Sequence, residues 1–148
     1  MDAKELEQKL EKFKKYYYKG AGAKLVGLSG AAENVLNYPN EPRVSVEDVM
    51  IRYNRFIKNY PKINPEDVLS DPDFTPLLVI DTILPDLELA VNDFVNEPTI
   101  EKHRKINSLK NIILSVADIY RSSFYSALEE LRKQPGYENY GSDILIWS

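Results

Sequence analysis

Basic and aromatic residues alternate in one stretch near the middle of the chain. Four cations interleave there with tyrosine and phenylalanine: Arg52, Arg55, Lys58 and Lys62. Single-stranded nucleic acid binds to such a mixture, because cations attract phosphates and rings stack on bases. At helical spacing, however, the rings point away from the cations and toward a core. Solvated helix faces are therefore the competing interpretation.

Two further basic clusters could contribute to the same surface. One is Lys102 to Lys105 with Lys110, and the other is Lys12, Lys14, Lys15, Lys19 and Lys24. The net charge of −4 argues against attraction of the whole protein to nucleic acid, so these clusters would have to converge on one side. The candidate contacts with RNA, DNA or an acidic partner are Arg52, Arg55, Lys58, Lys62, Lys102, Arg104 and Lys105.

No residue pattern indicates catalysis, a metal or a cofactor. The chain has no cysteine and one histidine, and the spacing from Glu101 to His103 does not match a helical di-metal motif. Ser29 and Ser108 lie in ordinary helical contexts without a base and an orienting residue. The glycine-rich stretch 20–30 lacks the Gly-Lys-Ser/Thr of a phosphate loop. We therefore expect a protein that is not an enzyme and that has no catalytic residue, no metal and no cofactor.

Charge is segregated between two of the predicted helices. The helix from Ser45 to about Tyr60 presents the basic arc, and a helix from Thr75 to about Asn96 presents an acidic one: Asp81, Asp86, Glu88 and Asp93, followed by Glu97. Complementary faces of this kind can steer one copy, or a partner, onto another. The alternative is two solvated faces, since surface ion pairs contribute little.

One long helix must organise the fold. Residues 99–134 contain no proline or glycine, and eight apolar residues follow one another at steps of three or four: Ile106, Leu109, Ile113, Val116, Tyr120, Phe124, Ala127 and Leu131. Thr99 is the expected N-cap and Pro135-Gly136 the stop. A second, weaker stripe of Leu114, Tyr125 and Leu128 predicts contact with a second neighbour, in this chain or another.

The other elements are shorter. We expect a first helix over 3–19 with a narrow apolar seam, a second over 23–37 whose small residues allow close packing, and a short turn after Asn64-Pro65. Pro85 predicts a kink or break near Leu84. Residues 135–148 form a non-helical tail rich in aromatic and aliphatic side chains. The first helix and the tail could each dock on this chain or on another one.

The prediction is one all-α domain over 1–148, an irregular antiparallel bundle of four to five helices. We expect a non-catalytic interaction or assembly subunit that forms a homo-oligomer or joins a larger complex. The alternative is a small nucleic-acid-binding subunit. The charged start and the absence of a long apolar run predict a cytoplasmic protein without membrane contact. The candidate interface residues are Leu6, Leu10, Phe13, Tyr17, Leu114, Tyr125, Tyr137, Tyr140 and Trp147.

Overall fold

A computed structural model describes residues 1–16 and 18–141. Their regular structure is helical, which confirms the all-α class. There are five longer helices, one six-residue helix and a 3₁₀ turn: α1 (Ala3–Lys15), α2 (Ala21–Asn37), α3 (Val46–Lys58), α4 (Pro65–Ser70), the turn Pro72–Phe74, α5 (Thr75–Asn96) and α6 (Ile100–Arg132). The predictions for Tyr17 and Trp147 fall outside the described residues.

Four of the helices close a ring. α2 packs on α3, α3 on α5, α5 on α6, and α6 on α2 again, while α1 lies along α6. In a ring of four, the α2–α3 pair lies opposite the α5–α6 pair, and α3 and α6 occupy opposite corners. Aromatic rings fill the end of the core near α1, where the Phe13 ring lies 4.6 Å from that of Phe74 and 5.1 Å from that of Tyr120.

The long helix forms where the periodicity predicts it. Its N-cap is Thr99, whose Oγ1 accepts the backbone N–H of Lys102 at 3.2 Å. It ends at Arg132, two residues before the predicted Gln134. The predicted seam is buried except at Val116, which is half-buried while the neighbouring Ala117 lies in the core.

The first helix is shorter than predicted and docks within the chain. α1 ends at Lys15, and the carbonyl of Phe13 accepts both the backbone N–H of Tyr16 and the hydroxyl of Tyr120. This side-chain bond satisfies one of the open carbonyls at the helix end. Its apolar seam is fully buried in the monomer, so Leu6, Leu10 and Phe13 are not available to a partner. These three interface assignments were wrong.

The tail also docks within the chain, as far as residue 141. The hydroxyl of Tyr140 donates to Glu11 Oε1 at 3.2 Å, and its carbonyl accepts from Arg132 Nε at 2.8 Å. The Lys14 ammonium lies 5.0 Å from the centre of the Tyr140 ring. Tyr137 packs beside it, and the carboxylate of Glu7 raises the pKa of the Tyr137 hydroxyl. Tyr137 and Tyr140 therefore cover α1 of their own chain, which corrects their assignment to a partner surface.

α5 begins at Thr75, as predicted, but its middle differs from the prediction. Thr75 lies inside the helix, because the 3₁₀ turn leads directly into it and the Asp71 side chain accepts the backbone N–H of Asp73 at 3.0 Å. The helix continues through Pro85 without a break. Pro85 is exposed, so the backbone carbonyl that loses its N–H donor there lies on the solvent side.

Candidate functional site

Three cations from two helices line a groove between α2 and α3. The groove encloses about 190 Å³, and its walls are Ala23, Lys24, Arg52 and Arg55. Arg52 and Arg55 belong to the basic cluster predicted on α3, and Lys24 comes from the cluster predicted near the N-terminus. The structure thus brings together members of two clusters that are about thirty residues apart in sequence.

A glycine makes room for one of the arginines. A Cβ atom built on Gly27 would lie 2.9 Å from an Nη atom of Arg52, closer than such contacts occur. The other side of the Arg52 guanidinium is held by Asp48, whose Oδ2 accepts from Nε at 3.1 Å. The small residues of α2 were expected to admit another backbone. At Gly27 they admit a guanidinium group, which lies over α2.

The remaining cations of the groove are not neutralised by neighbours. The Lys24 ammonium lies 5.1 Å from the centre of the Tyr18 ring, a favourable cation–π contact. Among the described residues, no carboxylate oxygen lies within 4.0 Å of the charged nitrogens of Lys24 or Arg55. Three positive charges therefore line the groove, and Asp48 pairs with one of them, Arg52.

The rings of α3 are not available to stack on bases. Tyr53 and Phe56 are buried, and burial raises the pKa of the Tyr53 hydroxyl to about 12. Tyr60 is half-buried, and burial raises the pKa of its hydroxyl as well. Lys58 and Lys62 are exposed on the same segment. A single strand would thus find cations on α3 without the stacking surface that such binding uses.

The basic start of α6 lies at the opposite corner of the ring from α3. Lys102 Nζ donates to the carbonyl of Asp93 at 3.2 Å and lies 3.9 Å from Glu97, so it is tied to the end of α5. Arg104 and Lys105 are exposed. The candidate contacts of α3 and α6 therefore do not form one continuous basic face.

Most lysines of α1 pair with a segment far away in sequence. Lys9 bonds to Asp73 and lies 3.4 Å from Asp71, and Lys15 bonds to Asp67 at 3.0 Å. Lys12 donates to the hydroxyl of Ser70 at 2.8 Å. Residues 67–73 thus dock α1 on the bundle, a role for which the sequence has no local signal.

The one histidine takes part in a clamp between α2 and α6. The buried Ser29 hydroxyl donates to Asn107 Oδ1 at 3.1 Å, and His103 Nε2 lies 3.2 Å from the Ser29 carbonyl oxygen. The same Nε2 atom lies 3.4 Å from the Ser29 hydroxyl oxygen. These polar contacts of Ser29 connect α2 to α6.

Exposed aliphatic residues concentrate on the α5–α6 side. The exposed fractions are 40% for Val79 and 62% for Leu89 on α5, and 48% for Ile112 and 59% for Ile119 on α6. The acids of α5 are exposed as well: Asp81, Asp86, Glu88 and Asp93. Glu88 and Asp81 lie toward α3, where their charges add to burial in raising the pKa of the hydroxyls of Tyr53 and Tyr60. An open cleft of about 580 Å³ adjoins Ile119 and is lined partly by three serines of α6.

The predicted second stripe of α6 is largely an internal surface. Leu128 is buried, and Leu114 is half-buried against the core, so its role at an interface stays a prediction. Tyr125 remains partly exposed, with its ring 5.0 Å from that of Phe124. The exposed pair Ile112 and Ile119 was missed, although its seven-residue spacing places both side chains on one line.

No family model matches the chain, and neither a curated protein nor a solved structure does. Within the described residues, the helices are too short or too polar to cross a bilayer. The same residues contain no group of three or more His, Asp or Glu side chains placed to hold a metal ion.

Proposed function

We propose that this protein is a non-catalytic assembly subunit whose copies associate head to tail. One observation carries the proposal: cations gather on the α2–α3 side, and exposed acids and aliphatic side chains occur on the two helices of the opposite pair. The α2–α3 side presents Lys24, Arg52 and Arg55, whereas α5 carries the exposed acids Asp86 and Asp93, and α5 and α6 both carry exposed aliphatic side chains. A patch with an apolar centre and a charged rim is the usual composition of a protein interface.

The partner in this proposal is a second copy of the chain. Its α2–α3 side offers positive charge that complements the acids of α5, and two exposed aliphatic residues, Val26 and Ile51. Because the two contacting surfaces differ, each added copy leaves one surface of each kind free. Such heterologous contacts build rings when the rotation closes and filaments when it does not.

Light scattering of the purified chain tests the proposal. We expect a mass that rises above 17.0 kDa with concentration at low ionic strength and falls toward it in about 1 M salt, where charge interactions are screened beyond about 3 Å. Leu89→Ser, on the proposed interface, should lower the mass. Leu69→Ser is the matched control, because Leu69 is 82% exposed but lies on α4. A constant mass of 17.0 kDa at low salt and high concentration overturns the proposal.

Nucleic-acid binding remains the second hypothesis, supported by the groove alone. The rings of α3 are buried and the α6 cations lie elsewhere. Only the three clustered cations of the groove are therefore available to contact the phosphates of a nucleic acid. Each phosphate contact contributes to the salt dependence of binding, so this surface predicts a shallow one. Retention on RNA or DNA that weakens steeply with salt would instead require a larger basic surface than the groove provides.

A further inference from the structure

The groove between α2 and α3 has the properties of an anion site. Three cations converge on one small volume, and one of them, Arg52, pairs with Asp48 and extends over Gly27, where the absence of a Cβ atom leaves room for its guanidinium group. We propose that the groove binds a phosphate group, carried by inorganic phosphate or a small phosphomonoester.

The choice of phosphate follows from the donors. A guanidinium group is a planar fork of N–H donors that matches two oxygens of a phosphate, and the groove has two such groups. The Lys24 ammonium adds a point charge from the facing helix. The bond to Asp48 already restricts the Arg52 side chain, which reduces the side-chain entropy that it loses on binding.

The size of the groove indicates a small ligand. Its volume of about 190 Å³ is below the roughly 300–1,000 Å³ of pockets that enclose drug-sized molecules. The Tyr53 and Phe56 rings of α3 are buried, and the α6 cations lie at the opposite corner of the ring. A single phosphate satisfies these donors, whereas a polymer would need further contacts.

Phosphate binding would also affect assembly, and this effect on assembly rests on the proposed function. The same three cations would face the acids of the next copy, so bound phosphate and head-to-tail contact exclude each other. Phosphate binding itself concerns the monomer and can be measured where no assembly occurs.

The test is an NMR titration of the labelled protein at concentrations where light scattering gives 17.0 kDa. The probes are inorganic phosphate, phosphoserine and a short single-stranded oligonucleotide, with sodium chloride as the ionic-strength control. We expect phosphate and phosphoserine to shift the amide signals near residues 23–27 and 52–55, with saturation. Chloride should leave these signals unchanged. Tighter binding of the oligonucleotide, with shifts that spread beyond the groove, overturns the proposal in favour of nucleic acid.

Two pairs of variants make the result specific. Arg55→Gln should weaken phosphate binding by about tenfold or more, the effect of losing one hydrogen bond to a charged group. Lys58→Gln removes the same charge from an exposed position outside the groove and should change the affinity by less than about twofold. If Arg55→Gln and Lys58→Gln weaken phosphate binding equally, phosphate is attracted by the overall charge of the surface, and the proposed site is overturned.

The second pair tests the position of Arg52 over Gly27. Gly27→Ala places a methyl group against the guanidinium, so we expect weaker phosphate binding with the fold retained, as judged by circular dichroism. Gly30→Ala is the control, because a Cβ there meets no atom within 4 Å. Binding that is the same in both variants overturns the requirement for the space over Gly27. If Gly27→Ala unfolds the chain, the Arg55 pair decides.

Discussion

The docking of α1 within its own chain can be tested at one hydroxyl group. Tyr16 is buried at the end of α1, and its hydroxyl donates to Asp67 Oδ2 at 2.5 Å and accepts the backbone N–H of Asn64 at 3.0 Å. Tyr16→Phe keeps the ring and removes these two bonds. The residue that terminates α1 would then lose its polar connection to the start of α4.

The expected loss of stability follows from the two bonds. A hydrogen bond to a charged group contributes about 1.5–3 kcal/mol, and a neutral one about 0.5–1.5 kcal/mol. The side chain of Asp67 is 19% exposed, so water replaces part of the lost donor and the lower range applies. We expect a decrease of about 2 kcal/mol in the free energy of unfolding, or about 4–8 °C in the melting temperature for a chain of this size.

The dependence on pH gives a second measurement. The hydroxyl of Tyr16 and then the ammonium of Lys15 lower the pKa of the Asp67 carboxyl below its ordinary value. A carboxyl whose pKa is lower in the folded state stabilises the fold above its unfolded pKa, near 4, and this contribution is lost as the pH falls through the folded pKa. The deficit of Tyr16→Phe should therefore be largest at neutral pH and shrink below about pH 3.

Urea denaturation followed by circular dichroism at pH 7 and pH 3 measures both effects. Tyr38→Phe is the matched control, because Tyr38 is 59% exposed, and we expect it to change stability by less than about 0.5 kcal/mol. A deficit for Tyr16→Phe that is equally small at pH 7, or that is the same at both pH values, refutes the role of the Tyr16–Asp67 bond. Since the bond lies within one chain, the variant should leave the mass in solution unchanged.

Two other substitutions test the core and the long proline-containing helix. Leu10→Ala should lower the free energy of unfolding, measured by urea denaturation, by about 2–5 kcal/mol, because Leu10 is fully buried. Leu89→Ala, at an exposed position, should lower it by less than about 0.5 kcal/mol. Similar losses in the two variants would contradict the assigned burial. Pro85→Ala should raise the melting temperature, because it restores a backbone N–H donor inside α5. The gain is at most about 3 kcal/mol, and the greater conformational freedom of the unfolded alanine variant reduces it. A lower melting temperature would show that Pro85 fits its position better than a helix-forming residue does.

The parts of the fold that sequence predicts are those with a local signal. The seam of α6 repeats every three or four residues and Thr99 caps it, so both the helix and its buried face follow from the residues themselves. The same holds for Asn64 at the start of α4, whose side chain accepts the N–H of Glu66. Periodicity also assigns the rings of α3 to the core, where Tyr53 and Phe56 lie.

Docking of one element on another has no such signal. Lys15 and Asp67 are 52 residues apart, and Glu11 and Tyr140 are 129 apart, so their bonds depend on the tertiary arrangement. The narrow seam of α1 gave equal support to docking in the same chain and in another. The groove could be predicted only in part for the same reason. The cations of α3 are evident from the sequence, but the contribution of Lys24 depends on how α2 packs.

The two proposals can be separated because they use the groove differently. If copies associate through the cations of the groove, added phosphate at constant ionic strength should lower the mass in solution, and Arg55→Gln should lower it without phosphate. If the groove binds phosphate but copies do not associate, the NMR shifts saturate while the mass stays at 17.0 kDa. If copies associate through the aliphatic residues of α5 and α6 alone, Leu89→Ser lowers the mass, whereas neither phosphate nor Arg55→Gln changes it. Each arrangement thus has its own combination of mass and binding, and Arg55 distinguishes a groove used for assembly from one used for a ligand.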